Sequence, residues 1–493
     1  MKNKRFFLAI DQGTTSTRSI IFNEKFKVIA TERIQNKEFY PEVGWVEQDP
    51  NEILEAVINS INRSVNKINI SFSEITCIGI TNQRESIVCW DSITGKSLYN
   101  SISWQCLRGD TLCQKIIGTD FENYVNSVTG LKVDPYFSST KISWMLKNSP
   151  DVKKALENDR LKVGTIDSWL MFNLLNNNPH LTDLSNASRT GLLNTKTLNW
   201  DKRILSYFDI PVKILPKIVP SNYNFGTTNK KIFDFEVPIT AVLGDQHASL
   251  YGHSSNNENE IKCTYGTGAF ILLNTFNKRY SYQNDFLSTV AWQKDKEIYY
   301  ALEGSVFSAG SIIEWLKNIG MIKNVQNLQF PYFSEKNNEN LFFIPALNGL
   351  GAPFWNSKIK ASIEGINFSS NTESIIKAGL ESVAFSTKAV IDSISSKTKI
   401  NFKTLKVDGG LTNNNFLMQF QSDLLGIPIL VSENTEMTSL GVAKLASEKI
   451  VKKLEYDNNY KKYIPNKKNM KLLRDKYKIW IDKVRNNISI MEE

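Results

Sequence analysis

Short apolar runs alternate with longer stretches of helical periodicity along most of the chain. Residues 6–10 (FFLAI) form a continuous apolar run, the pattern of a strand buried on both faces. Residues 19–22 (SIIF) follow as its hairpin partner across a Gly-containing turn. After Pro50, the residues Ile53, Leu54, Val57, Ile58 and Ile61 recur at three- and four-residue spacing and predict a helix. Residues 75–80 and 239–243 read as further strands, the second ending in Gly244-Asp245. Residues 262–273 (KCTYGTGAFILL) repeat the strand–turn–strand pattern of residues 9–21 (AIDQGTTSTRSII). Beyond them, helices are predicted over 374–391, 414–425 and 438–446, with strands at 405–407 and 427–431. This alternation implies α/β architecture. The repeated hairpin near the start of each half implies two related halves and a cleft between them. The polar stretch 254–260 (SSNNENE) is the expected boundary, giving domains 1–253 and 254–493.

Composition narrows the class. A chain of 493 residues has room for a large core, and its Gly and Pro content excludes collagen-like architecture. No apolar run reaches the ~20 residues of a membrane-spanning helix. The N-terminal apolar run stops at Asp11, too early for a secretory signal. Cys77, Cys89, Cys106, Cys113 and Cys263 are dispersed and form no Cys-x-x-Cys pair, which argues against a disulfide scaffold or a zinc site and for a reducing cytoplasm. The net charge is +9, but residues 451–493 carry twelve Lys or Arg against six Asp or Glu. That segment interleaves Leu472, Leu473, Tyr477, Ile479, Trp480 and Val484 at helical spacing. It reads as the solvated face of a closing amphipathic helix, not as a nucleic-acid surface.

Candidate chemistry sits at the Gly turns. In Asp11-Gln12-Gly13-Thr14-Thr15-Ser16-Thr17-Arg18, a glycine lets backbone N–H groups approach phosphate, the consecutive hydroxyl side chains add donors and Arg18 adds charge. Asp11, at a strand end, is a candidate for a hydrated Mg²⁺. Thr264-Tyr265-Gly266-Thr267-Gly268 has the same logic. In Asp408-Gly409-Gly410, with Asn414 following, a strand runs into a helix, and the Asn side chain would cap that helix or bond a ribose. Each is by itself compatible with an ordinary turn; together they point to a nucleotide in a cleft between the halves. Asp245 lies where α/β sheets bind ligands, or is a helix N-cap. His247 reads as a first-turn helix residue. Arg84 and Glu85 offer donors and acceptors to a small polyol, or form a surface ion pair. Trp104 and Tyr136 are walls of such a pocket, or core aromatics.

The segments ITNQRE, WQC, DPYFS, TDLSNASRT, GDQ, TYGTG, ALEGSVF, GLGAPFW, VDGG and NNFLMQFQSDLLG, with the first Gly hairpin, resemble those of the glycerol kinases. These are FGGY carbohydrate kinases, in the sugar-kinase branch of the actin-like ATPase superfamily. The resemblance runs from about Phe7 to Ala446. It implies two RNase H-like domains flanking a deep interdomain cleft, and ATP-dependent phosphorylation of glycerol to sn-glycerol 3-phosphate with Mg²⁺. It further implies a cytoplasmic homo-oligomer without nucleic-acid or membrane partners. Residue by residue, it implies that Thr14, Thr15 and Ser16 contact ATP phosphates beside Arg18. Arg84, Glu85, Tyr136, Asp245 and Gln246 would bind glycerol hydroxyls, and Trp104 and Phe270 would pack on its carbons. Thr267, Gly310, Gly410 and Asn414 would line the nucleotide site. Glu314 stands where the family commonly has a nucleotide-contacting glutamine, and the change removes donors. Residues 226–238 lack the Gly-Gly-Thr-Arg loop of a fructose-bisphosphate site and hold no histidine for an activating phosphorylation. Asp245 is the candidate base; an ordinary Asp, with pKa ~3.9, would take the proton only late in the transfer. The alternatives are a kinase of this family acting on xylulose or gluconate, and an actin-like ATPase that uses nucleotide for assembly.

Overall fold

The computed structural model describes residues 5–253, 259–282, 284–322, 340–451, 456 and 458–492. Residues 254–258 of the expected boundary lie outside the described residues. Two large sheets are built on one plan. In the first, Phe6–Gln12, Ser16–Phe22 and Val28–Gln35 form an antiparallel meander, and Ile75–Asn82 and then Pro238–Gly244 extend it in parallel from Phe6–Gln12. In the second, Glu260–Tyr265, Ala269–Phe276 and Glu297–Val306 form the meander, extended in parallel by Thr404–Asp408 and Ile429–Ser432. The repeated strand–turn–strand pattern therefore occupies the same place in both sheets. All residues of Phe6–Gln12 are buried, as its unbroken apolar run requires.

The helices follow local signals. Pro50–Lys67 starts where the Asp49 side chain accepts from the Asn51 N–H and Pro50 fills the first turn. Its buried face carries Ile53, Val57 and Ile61. Thr372–Thr398 outruns the expected 374–391, because an Asn371–Ser374 capping box starts it and Ile394 continues the buried stripe. In the closing helix Lys467–Glu492, Leu473, Trp480 and Val484 enter the second core, and Trp480 Nε1 donates to the Phe343 carbonyl at 2.9 Å. Leu472 and Ile479, expected on the same face, instead point outward at 44% and 46% exposure. They are offset by one position from the buried stripe, which turns them about 100° away from it. Among the described residues no helix is long and apolar enough to cross a membrane.

The two halves are joined by a seam of small residues. Helix Met437–Glu448 belongs to the second half by sequence, yet it packs on the first sheet and on helix Asp245–Gly252. A Cβ on Gly441 would lie 1.8 Å from the Ala248 carbonyl oxygen, and one on Gly252 would lie 2.4 Å from that of Met437. Two helices touching backbone to backbone leave no space for a side chain. Gly441→Ala should therefore lower stability by about 1–3 kcal/mol, despite the ~1 kcal/mol that alanine gains over glycine in a helix. The reference is Gly410→Ala, whose added Cβ meets nothing within 4 Å. Denaturation midpoints of the two variants check this, and equal midpoints would contradict the seam.

Candidate active site

The site begins at the ends of three parallel strands. Register pairs Gln12 with Asn82 and Asn82 with Gly244. The turn at residues 13–15, the Gln83-Arg84-Glu85 segment and Asp245 therefore emerge side by side. The Gly13 N–H closes its turn on the Ser16 carbonyl at 3.0 Å. Asn36 Nδ2 and Gln48 Nε2 occupy the Gly13 and Thr14 carbonyls at 2.8 and 2.7 Å. Among the described residues the N–H groups of Thr14 and Thr15 have no protein acceptor. Thr15 is exposed, Thr14 half-buried and Ser16 buried. Trp104 Nε1 donates to Thr14 Oγ1 at 2.8 Å, and its ring meets Tyr136 edge to face at 5.4 Å. Lys141 Nζ donates to the Tyr136 carbonyl at 2.6 Å.

At the centre lies a buried ion cage, not the surface ion pair that was one reading of Arg84 and Glu85. Arg84 forks onto Glu303, with Nη1–Oε2 2.5 Å and Nη2–Oε1 3.1 Å, and its Nε stands 3.1 Å from Asp245 Oδ1. Arg189 Nε donates to Glu85 Oε1 at 2.5 Å, and its Nη2 lies 3.2 Å from Glu303 Oε1. Its guanidinium sits over the Tyr136 ring at 5.5 Å. Glu85 has φ +64°, a left-handed conformation that costs a non-glycine residue about 1–2 kcal/mol; Arg189 on its carboxylate and Ser138 Oγ on its carbonyl hold it there. Gly244 is required for this packing, because a Cβ there would lie 2.7 Å from the Arg84 methylenes.

Charge states follow from this arrangement. Burial would push the Glu303 carboxyl up, but the Arg189 and Arg84 guanidiniums outweigh it and hold the group well below the usual carboxylate range. Burial alone would lower the Arg84 pKa, and Glu303, Glu85, Tyr136 and Asp245 drive it above its ordinary value instead. Asp245 behaves differently. Its side chain keeps 29% of its surface open. Desolvation raises its pKa to about 6; Arg84 and the Gln246 N–H oppose this, and Glu85 and Asp11 add to it. Burial also raises the Tyr136 phenol.

The remaining candidates fall around this centre. Asp11 is buried, with Oδ2 taken by Arg18 and, at 3.4 Å, by Ser439 Oγ; Arg18 also pairs with Glu436 at 2.7 Å. Gln246 is buried and its Oε1 accepts from Lys262 Nζ at 3.0 Å. Phe270 is half-buried against the apolar seam that includes Leu243 and Ala248. Thr267 and Gly310 come together: the Gly310 N–H donates to the Gly266 carbonyl and the Ser311 N–H to the Thr267 carbonyl, both at 3.0 Å. The Thr267 and Gly268 N–H groups have no protein acceptor among the described residues, as at Thr14 and Thr15. Register sets Thr264 beside Asp408, which brings Gly410 and Asn414 to the same sheet end. Gly410 is exposed, and Asn414 Oδ1 caps helix Asn415–Leu425 through the Leu417 N–H at 2.8 Å. Glu314 points to solvent at 64% exposure, 3.9 Å from Lys317, and joins neither group. His247 is buried in the first turn of its helix.

Strand Glu297–Val306 connects the two groups. Glu303 holds Arg84, and three residues on, about 10 Å along an extended chain, Val306 abuts Gly268. Glu303, Arg189 and Lys262 were not singled out from sequence, although each is a charge within or beside an apolar run, a pattern that demands a buried partner. Removing the Glu303 carboxylate would leave two buried guanidiniums without their shared anion. Glu303→Gln should cost about 3–5 kcal/mol, read from denaturant midpoints, and a loss below 1 kcal/mol would contradict the cage.

Residues 6–252 match the N-terminal domain, and residues 261–448 the C-terminal domain, of the FGGY family of carbohydrate kinases. The glycerol kinase of Thermoanaerobacter sp. (strain X514) is 40% identical over 499 residues, spanning 99% of this chain and 100% of that protein. That of Pseudothermotoga lettingae is 42% identical over 445 residues, 90% of this chain and 89% of that one. The crystal structure of Plasmodium falciparum glycerol kinase with ADP superposes with TM-score 0.88 at 33% identity, covering 98% of each chain. A ligand-bound xylulose kinase from Lactobacillus acidophilus shares the fold, with TM-score 0.85 at 23% identity and 98% coverage of each chain. On matches that take in both sheets and nearly the whole length, this chain belongs to the FGGY family of carbohydrate kinases.

Proposed function

We propose that the protein transfers the terminal phosphoryl group of ATP to glycerol, forming sn-glycerol 3-phosphate and ADP. The carrying observation is the contiguity of Arg84, Glu85, Asp245, Tyr136, Trp104 and Thr14, a set of donors, acceptors and aromatic rings beside a turn with unengaged N–H groups. In this reading Arg84 and Glu85 bind glycerol hydroxyls with Gln246, and Trp104 and Phe270 pack on its carbons. The N–H groups of residues 14–15 and 267–268 receive phosphate oxygens from the two sides of the cleft. Gly410, with open space above it, admits the flat base, and Gly310 and Asn414 hold the surrounding turns. Glu314 contributes little, because it is solvated.

Phosphoryl transfer is dominated by positioning and charge stabilisation. Asp245 takes the hydroxyl proton as oxygen bonds to phosphorus, and its raised pKa makes it a stronger base than an ordinary aspartate. Bound Mg²⁺ would supply charge neutralisation to the phosphates. The residues fit a metal held mainly by phosphate and water. Arg18 and Ser439 engage only Oδ2 of Asp11, so Asp11 would hold a metal-bound water through Oδ1. The five cysteines, buried and unpaired, suit a reducing cytoplasm.

A coupled assay with glycerol, MgCl₂ and ATP, against the same mixture without glycerol, tests this reading. ADP release should depend on glycerol and exceed that with xylulose or gluconate; a preference for either sugar would overturn it. Asp245→Asn should lower kcat by on the order of 10²–10⁴-fold while glycerol still binds. The acidic limb of kcat/KM should fall about tenfold per pH unit below about 6, because protonation removes the base. A limb near pH 4, or one that survives in Asp245→Asn, would remove Asp245 from that role.

A further inference from the structure

We propose that Lys262 is a positioning residue that fixes the polarity of the Gln246 amide and makes that side chain an obligate hydrogen-bond donor toward the polyol. The inference rests on the glycerol reading above and adds a selectivity element contributed by the second half of the chain. Lys262 lies on strand Glu260–Tyr265, fully buried, with Nζ 3.0 Å from Gln246 Oε1. An ammonium has three donors and no acceptor. The two ends of a glutamine amide have the same shape, and only their hydrogen-bonding partners tell them apart. A flipped amide would set its NH₂ against the ammonium and leave both without an acceptor. Oε1 must therefore face Lys262, and Nε2 must face away from it.

Nε2 keeps contact with solvent. Among the described residues it donates to no protein group, and it is not sealed from water. Asp245, the adjacent residue, keeps 29% of its side chain open. Burial draws the Lys262 pKa down, and Asp408 is the foremost of the groups that oppose it, with Asp245 and Glu303 contributing.

The consequence is a directional pocket. Glu85 and Asp245 are acceptors for hydroxyl protons. Three N–H groups of Arg84 already face Glu303 and Asp245. The hydroxyl beside Gln246 must then act as acceptor, and Lys262 enforces that choice without touching the substrate.

The test compares wild type with Lys262→Met on glycerol, 1,2-propanediol and 1,3-propanediol, each diol lacking one hydroxyl. The glycerol KM should rise on the order of ten- to a hundred-fold while the ATP KM stays within about twofold. The diol without the hydroxyl served by Gln246 should bind variant and wild type alike. Adding Lys262→Met to Gln246→Met should change nothing further. Equal losses on glycerol and both diols, or a full further loss in the double variant, would overturn the proposal. Gln246→Glu keeps the inference testable should Lys262→Met not fold. A carboxylate against Lys262 should retain the melting temperature while the glycerol KM rises, and a fall in melting temperature would count against the contact. A wild-type protein that turns over no glycerol would overturn the functional reading together with this inference; normal wild-type turnover with undiscriminating variants would overturn this inference alone.

Discussion

The carboxylate of Glu303, shared between the guanidiniums of Arg84 and Arg189, is the interaction on which the centre of the molecule depends. One partner comes from the second sheet and two from the first half, so the cage is also a tie across the cleft. Its members have almost no solvent. A buried charge set is tolerated only when every member is paired, and here Arg84 answers three carboxylates and Arg189 two. Asp245 is the member left partly open. The cage thus sorts its carboxylates: Glu303 is pinned in the charged form, whereas Asp245, reached by Arg84 through Nε alone, retains proton affinity in the range useful for a base.

The frame of the fold was legible because its signals are local. Unbroken apolar runs marked the doubly covered strands, and three- and four-residue spacing marked the helices. Helix Thr372–Thr398 was expected too short because its last turns are rich in serine and only Ile394 and Thr398 mark the buried side. Leu472 and Ile479 misled for the opposite reason, since apolar letters near a stripe need not lie on it.

The site was legible in part. Residues at strand ends beside glycines (Thr14, Asp245, Thr267, Gly410) stand out in the sequence, and they do emerge at sheet ends. Their supports do not stand out. Nothing local says that Glu303 answers an arginine 219 positions away, or that Lys262 meets Gln246 across 16. Those pairings are set by tertiary placement. The raised proton affinity of Asp245 was likewise invisible, because it arises from burial by residues distant in the linear order.

The backbone contact between helices Asp245–Gly252 and Met437–Glu448 bears on how the polypeptide could be divided. The covering layer of the first sheet is drawn from a stretch translated almost two hundred residues after the sheet is complete. A fragment ending near the midpoint would present the faces of Ala241, Leu243 and Ala248 to water. On the ribosome, the early half must therefore wait for the late one, and the two segments are better regarded as one cooperative unit than as modules to be exchanged.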